Sequence, residues 1–375
     1  MCIRDSICIG EGEHAIYELL QAIAAGETPT CGNIWYKQDG RVRKNPLNPL
    51  IQDLDSLPFP DKDIYYRQNV FSTRLTIMTS RGCPFACTYC INDLYHRLYP
   101  GQKPVRRRSV DNVIAELAMW KQRYPLKKVR FYDDVFTVNK GWVEAFAERY
   151  ARDIAIPYHC NIEPRAISPD MLKALKHSGC VAVSMGVQSG SQRIRDQIMG
   201  RRMSNEEIVN AAEMVHRSGL KLLTEIIFAI PSETEEEMWQ TVALNRTLRP
   251  HNTAAFNFFP FPGVALTETS RHMGLLDEEV FQNVVQGKKG FNTWNRMSVL
   301  NHPLKEKANA IKQLVPLFAR LPRLSFLFRP LTGRYLRWLG NLLFFAGYPL
   351  FDTQEFFIKL KDYLRYLFHK KSFFS

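Results

Sequence analysis

The stretch of this chain richest in possible chemistry is RGCPFACTYC, which sets Cys83, Cys87 and Cys90 in a C-x3-C-x2-C array. Gly82 and Pro84 keep the segment from being helix or strand, so three thiolates share one short loop. A structural zinc normally closes with four protein ligands. Three cysteines can instead hold three irons of a cubane cluster and leave the fourth iron open to another molecule. Two plainer readings stay open on spacing alone: a zinc completed by a distant residue such as His96, or three incidental core cysteines.

A loop of this kind needs a scaffold, and the sequence around it alternates strand and helix. Strands are expected at 74–80, 127–133, 156–162, 181–187, 221–230 and 253–261, and helices at 109–124, 139–152, 168–178, 191–199, 204–218 and 233–248. Ser109, Ser168, Ser204 and Ser232 stand as N-caps, and Gly179 and Gly219 as helix stops. Such alternation implies a parallel sheet, open or curved into a partial barrel, with its site at the C-terminal ends of the strands. The cysteines follow the first strand.

The chain has 375 residues, enough for one large domain with appendages or for two domains. Its eight cysteines are too sparse for a disulfide framework, which points to a reducing, cytoplasmic setting. No stretch reaches the roughly 18 uncharged apolar residues of a membrane span. Residues 301–375 hold 13 Lys/Arg against 4 Asp/Glu, so this tail supplies +9 of the formal net charge of +13. The remainder is nearly balanced, which argues against a basic groove for nucleic acid.

The cysteine array, with Tyr89 just before its last member, resembles the radical S-adenosylmethionine (SAM) superfamily. The segments FYDDVFTVN (131–139), SGCVAVSMGVQSGSQRI (178–194), FAIPSETEEEM (228–238) and FPFPGV (259–264) resemble, in order and spacing, signatures of its cobalamin-associated branch. The likeness covers roughly residues 7–275. It implies an α/β fold whose core, at 71–275, is a partial (β/α)6 TIM-like barrel. It also implies a 4Fe-4S cluster on Cys83, Cys87 and Cys90, and reductive cleavage of SAM to a 5′-deoxyadenosyl radical. The protein's part is to orient SAM and exclude water.

The resemblance also assigns SAM contacts. Asp133 and Asp134 stand where the family often has a Gly-Gly-Glu motif that meets the SAM ammonium. Glu163 in IEPR and Gln188 in GVQSG fall at positions that contact SAM, and Arg201 aligns with a base that pairs its carboxylate, with Arg202 as the alternative. Glu225 falls at an acidic position facing the nucleoside. Ala229 replaces the glycine usual before Ile-Pro. No catalytic residue beyond these is assigned. The run VRRRS (105–109) reads as a solvated face, and Cys160 and Cys180 as core residues.

The flanks complete the expectation. Residues 1–26 resemble the end of a cobalamin-binding α/β domain, and MCIRDS (1–6) is expected to be an artefact lacking a strand pattern, fused to a truncated gene. Cobalamin is therefore expected in the full-length protein only. Residues 27–70 read as an irregular linker. Residues 276–375 read as a helical, basic and aromatic region, either a cap on the barrel or an interfacial element touching the inner face of the membrane. The expected reaction is cobalamin-associated methylation or rearrangement of an apolar small molecule, a lipid or tetrapyrrole, fed by an electron donor such as flavodoxin or ferredoxin. A methylthiotransferase acting on tRNA or protein, and a metal-stapled binding module, are the rivals.

Overall fold

Period-2 patterning dominates the strands. Leu75 and Ile77, Val129 and Phe131, Tyr158, Cys160 and Ile162, and Val183, Met185 and Val187 all join one hydrophobic core under the helices, as do Leu222, Ile226 and Phe228. The residues between them face the other way. The computed structural model describes residues 6–27, 30–38, 40–67, 73–286, 298–320 and 330–332.

A small antiparallel sheet comes first, built from β1 (Ser6–Cys8), β2 (Ile34–Gln38) and β3 (Arg41–Lys44), with α1 (Glu13–Ala25) between its first two strands. The region expected to be an irregular linker thus carries a hairpin, a 3-10 turn at Leu54–Ser56 and α2 (Asp63–Tyr66). Ser6 and the two residues after it pair with Tyr36, Trp35 and Ile34, while the other five residues of the expected MCIRDS artefact lie outside the described residues. These pairings are long-range, and no local pattern announces them.

The main sheet contains β4 (Arg74–Ile77), β7 (Lys128–Phe131), β8 (Tyr158–Ile162), β9 (Cys180–Gln188), β10 (Lys221–Phe228) and β11 (Asn252–Asn257), adjacent in chain order and all parallel. It curls into a partial TIM-like barrel. A two-stranded ladder, β5 (Ser80–Arg81) with β6 (Arg106–Arg107), brackets the cysteine loop. The helices are α3 (Ile91–Leu98), α4 (Val110–Arg123), α5 (Lys140–Asp153), α6 (Pro169–His177), α7 (Asn205–Arg217), α8 (Glu235–Leu248), α9 (Ala265–His272), α10 (Glu278–Val285) and α11 (Lys305–Arg320). Of these, α11 packs against β11 and α8.

Ser109, Ser168 and Ser204 each accept the expected N-cap hydrogen bond. Helix α8 differs: its cap is Thr234, in a capping box with Glu237, while Ser232 sits at φ +64° in the preceding turn. The helix expected at 191–199 is instead a π-helical turn at Ile194–Ile198. Beyond 320 only 330–332 are described, so the basic-aromatic tail reading lies outside the described residues. Among the described residues no helix is long and apolar enough to cross a membrane.

Candidate functional site

The cysteine loop leaves the sheet after β4 and is anchored at both ends. Gly82 adopts φ +81°, and a Cβ there would come within 2.0 Å of the Pro104 carbonyl oxygen. Near its other end, the Thr88 amide donates to Met199 O at 3.0 Å and its hydroxyl donates to Ile198 O at 2.7 Å. Gly82→Ala is therefore expected to displace the loop and to lower the iron retained after anaerobic reconstitution. Gly101→Ala, at φ +74° in open space, is expected to leave iron content unchanged and to cost about 1 kcal/mol of backbone strain.

The ring of His96 hydrogen-bonds the Cys83 carbonyl oxygen at 3.0 Å, so it braces the loop backbone. Among the described residues, no three His, Cys, Asp or Glu side chains are gathered closely enough to hold one metal ion. Ligands of a single zinc, at about 2.3 Å from the metal, must crowd together, whereas cysteines serving separate irons need not. The donor set, three thiols on one loop with Cys87 buried and its neighbours half-buried, fits a cluster. Burial pushes the Cys83 thiol up to about 12, so the loop becomes anionic when a cation displaces its protons.

The two aspartates after β7 part company. Asp133 is fully buried, and its Oδ1 accepts from the Thr79 amide at 3.0 Å, the Thr79 hydroxyl at 2.7 Å and the Ser80 hydroxyl at 2.5 Å. It knits β7 to the base of the cysteine loop and faces away from the lumen. Asp134 lines the cavity beside Cys83 and Asn92. Burial raises its pKa, and a hydrogen bond from Asn92 opposes the rise.

Beyond β8 and β9 lies a buried ion pair. Glu163 receives Arg201 at 2.6 Å through one oxygen and Arg165 at 2.6 Å through the other. The same Arg201 terminal nitrogen donates to Gly186 O at 2.7 Å, and the guanidinium also reaches the Cys87 thiol. Arg202 is exposed and takes no part in this pair. Gln188, at φ +66°, lays its amide over Gly186, where a Cβ would come within 2.5 Å of it. The Tyr89 hydroxyl hydrogen-bonds Cys87. Glu163, Gln188, Arg201, Tyr89 and Cys87 therefore form one connected group, whereas Asp133 stands apart behind the loop.

Glu225 occupies the lumen side of β10, its carboxyl pKa raised by burial against the pull of Arg130 and Arg201. Those neighbours lead to groups that motif reading missed. On the concave face Arg130 donates to Asn161 Oδ1 at 2.7 Å, and the His159 ring meets the Ser184 hydroxyl at 3.0 Å. Burial, with Arg130 and Lys128 nearby, holds His159 down to about 3, so its ring is neutral. The signal was available: polar residues recur at 128, 130 and 132 and at 159, 161 and 163, every second position of apolar strands.

The run 105–109 is not a solvated face. Arg106 is buried and meets both carboxylate oxygens of Glu11 at 2.7 and 2.8 Å, joined there by Arg81 at 2.8 Å. Arg108 pairs with the buried Glu116, which also holds Lys62 at 2.6 Å. Thus Glu11, at the mouth of α1, is clamped to both strands that bracket the cysteines, and it lines with Cys83 and Asp134 a cavity of about 400 Å³. A second cleft, of about 860 Å³, follows the edge of β4 and shares Glu13, Met78 and Arg81 with the first.

Residues 77–244 match the family model described as Radical SAM superfamily. An uncharacterized methyltransferase of Pyrococcus horikoshii is 30% identical over 334 residues, which cover 88% of this chain and 68% of that protein. The anaerobic magnesium-protoporphyrin IX monomethyl ester cyclase of Rubrivivax gelatinosus is 26% identical, over 68% of this chain and 48% of the cyclase. Among solved structures, the radical SAM methyltransferase TsrM from Kitasatospora setae superposes with TM-score 0.59 at 16% identity, over 72% of this chain and 54% of TsrM. The cobalamin-dependent SAM radical enzyme OxsB gives 0.57 at 16% identity, over 85% of this chain and 45% of OxsB. The chain thus spans between 45% and 68% of the length of these proteins. A matching family model, a 30%-identical relative and a six-stranded parallel half-barrel with three cysteines after its first strand agree: this chain belongs to the radical SAM superfamily of enzymes.

Proposed function

We propose that this chain is the catalytic core of a cobalamin-associated radical SAM enzyme that methylates or rearranges a small molecule. The observation that carries the reading is the convergence of the cysteine loop, Asp134 and the Glu163–Arg201 pair at the C-terminal edge of the half-barrel. Cys83, Cys87 and Cys90 would hold the 4Fe-4S cluster. When bound, the cluster supplies the electron that splits SAM into methionine and a carbon radical.

The protein groups have separate tasks. Asp134 offers the SAM ammonium a carboxylate acceptor, and Asp133 positions the loop from behind. Arg201, oriented by Glu163 and Gly186 O, presents charge to the SAM carboxylate, and Gln188 offers an amide to the same molecule. Glu225 faces the nucleoside side. The concave face keeps bulk water from the reacting carbon. The names of the relatives support methyl transfer, a tetrapyrrole-sized substrate and the use of cobalamin. A small electron-transfer protein such as flavodoxin or ferredoxin would reduce the cluster in the cytoplasm, and the basic tail would touch the membrane surface.

Anaerobic reconstitution with iron and sulfide, then dithionite and SAM, tests the core of this reading. Expected are a brown protein absorbing near roughly 400 nm and release of 5′-deoxyadenosine and methionine. A colourless product, or a cluster that leaves SAM intact on reduction, overturns it. Adding methylcobalamin in a second arm then shows whether methyl transfer depends on it.

A further inference from the structure

The lumen below the cysteine loop carries cationic and polar groups that neither the cluster nor the assigned SAM contacts use. Register places Thr76, Arg130 and His159 side by side across β4, β7 and β8. Arg130 is held from three directions: its Nη2 donates to Asn161 Oδ1 at 2.7 Å and to the Ser184 hydroxyl at 3.5 Å, and its guanidinium lies 5.0 Å from the centre of the Tyr132 ring. Its other terminal nitrogen, Nη1, is buried with no hydrogen-bond partner. A buried guanidinium N–H left unmade is costly, and the cost is relieved when an anionic oxygen arrives. His159 is the adjacent donor or acceptor, oriented by Ser184.

We propose that Arg130 and His159 form an oxyanion-binding subsite on the lumen floor, which fixes a carboxylate or phosphonate group of the substrate and so sets the depth of its reacting carbon. That the guest is a substrate rests on the radical SAM reading; the subsite itself rests on this chain's own side chains. Lys128 lies one step from Arg130 on the same face and adds positive potential. Glu225 is the carboxylate that acts on Arg130 from β10, at longer range than the ion pairs formed among the described residues. Arg130 is therefore left with capacity for a guest. Thr76, the register neighbour of Arg130, lines the 860 Å³ cleft together with Met78 and Tyr132, all three exposed. That cleft meets the cysteine cavity at Met78 and Arg81, so one molecule can span both. Its lining is largely apolar, and its cations Lys62, Arg81 and Arg108 are already paired with Glu116, Glu13 and Glu11, so an anionic group of the guest is left to Arg130.

The test uses the reconstituted protein labelled with 15N-histidine, with the His159 ring signal assigned by its loss in His159→Gln. Methylphosphonate and propionate are the anionic probes, and dimethyl methylphosphonate and propionamide their neutral counterparts. Saturable displacement of the His159 signal by an anion is expected, with no response to the neutral pair. Whichever anion has the lower midpoint identifies the substrate's acid group. Arg130→Gln is expected to raise that midpoint by at least about ten-fold, the loss of one charge-assisted hydrogen bond. The unmoved signals of the other histidines report that this variant is folded. An His159 signal indifferent to both anions up to about 50 mM, or equally responsive in Arg130→Gln or to the neutral probes, overturns the subsite. Reductive SAM cleavage measured on Arg130→Gln separates the two readings: persistence of cleavage with loss of anion binding keeps both, and absence of cleavage in the wild-type protein sinks only the radical SAM assignment.

Discussion

Alanine at Cys83, Cys87 or Cys90 is expected to abolish both the roughly 400 nm absorbance and SAM cleavage, each taken to background by a single substitution. A cubane held by three thiolates has no spare protein ligand, so the loss of one is not made good by the other two. The loop offers no substitute either, since the His96 ring is committed to the Cys83 carbonyl and Asn92 to Cys90 Sγ and Asp134. The informative controls are Cys160→Ala and Cys180→Ala. Both residues are fully buried in the core, Cys160 beneath the lumen strands and Cys180 at the start of β9. Each is expected to cost about 1–2 kcal/mol of stability through a small cavity while retaining iron. Iron and sulfide content, read beside a melting curve, separates the two classes. Retention of a full complement of iron in any of the three loop variants would overturn the ligand assignment.

The contrast between loop and core cysteines was legible because ligand spacing is local. So were the helix starts at Ser109, Ser168 and Ser204, where one side chain answers one amide three residues away. The cap at Thr234 is local as well, since Thr234 and Glu237 spell a capping box, whereas the expected cap Ser232 stands two residues earlier in the turn. Alternation also decides between the two aspartates. Phe131 faces the core, so Tyr132 faces the lumen and Asp133 turns back under the loop. What local pattern does not carry is pairing across sequence distance. Arg106 looks like one member of a solvated basic run until β6 pairs with β5 and brings it to Glu11, 95 residues away. The hairpin at β2 and β3 and the strand at Ser6–Cys8 were hidden for the same reason: each is short, and its stability depends on its partner.

Glu163→Gln is expected to destabilise the protein by about 3 kcal/mol and to weaken SAM binding at the same time. The side chain of Glu163 is 3% exposed and that of Arg201 9%, so water does not replace the lost charge. Glutamine keeps the shape and one acceptor oxygen, yet it leaves Arg201 a buried cation with no carboxylate partner, held only by neutral acceptors such as Gly186 O and by the Cys87 sulfur. The half-exposed Arg165 loses its partner at little cost, because its guanidinium already lies 4.2 Å from the Phe85 ring centre and borders solvent. Arg201→Met should destabilise less, since Glu163 loses its buried partner but keeps Arg165 on its other oxygen. The double variant Glu163→Leu/Arg201→Met should be closer to wild type in stability than the sum of Glu163→Leu and Arg201→Met, since an uncharged pair of similar volume removes the desolvation penalty along with the attraction. Its SAM binding should still be lost, because Leu and Met offer no charge to the amino-acid end of SAM. Thermal melts of the four proteins, paired with equilibrium SAM binding, make the distinction. Stability and binding that recover together in the double variant would mean the pair serves packing alone, and recovery of stability without binding would place Arg201 at the ligand.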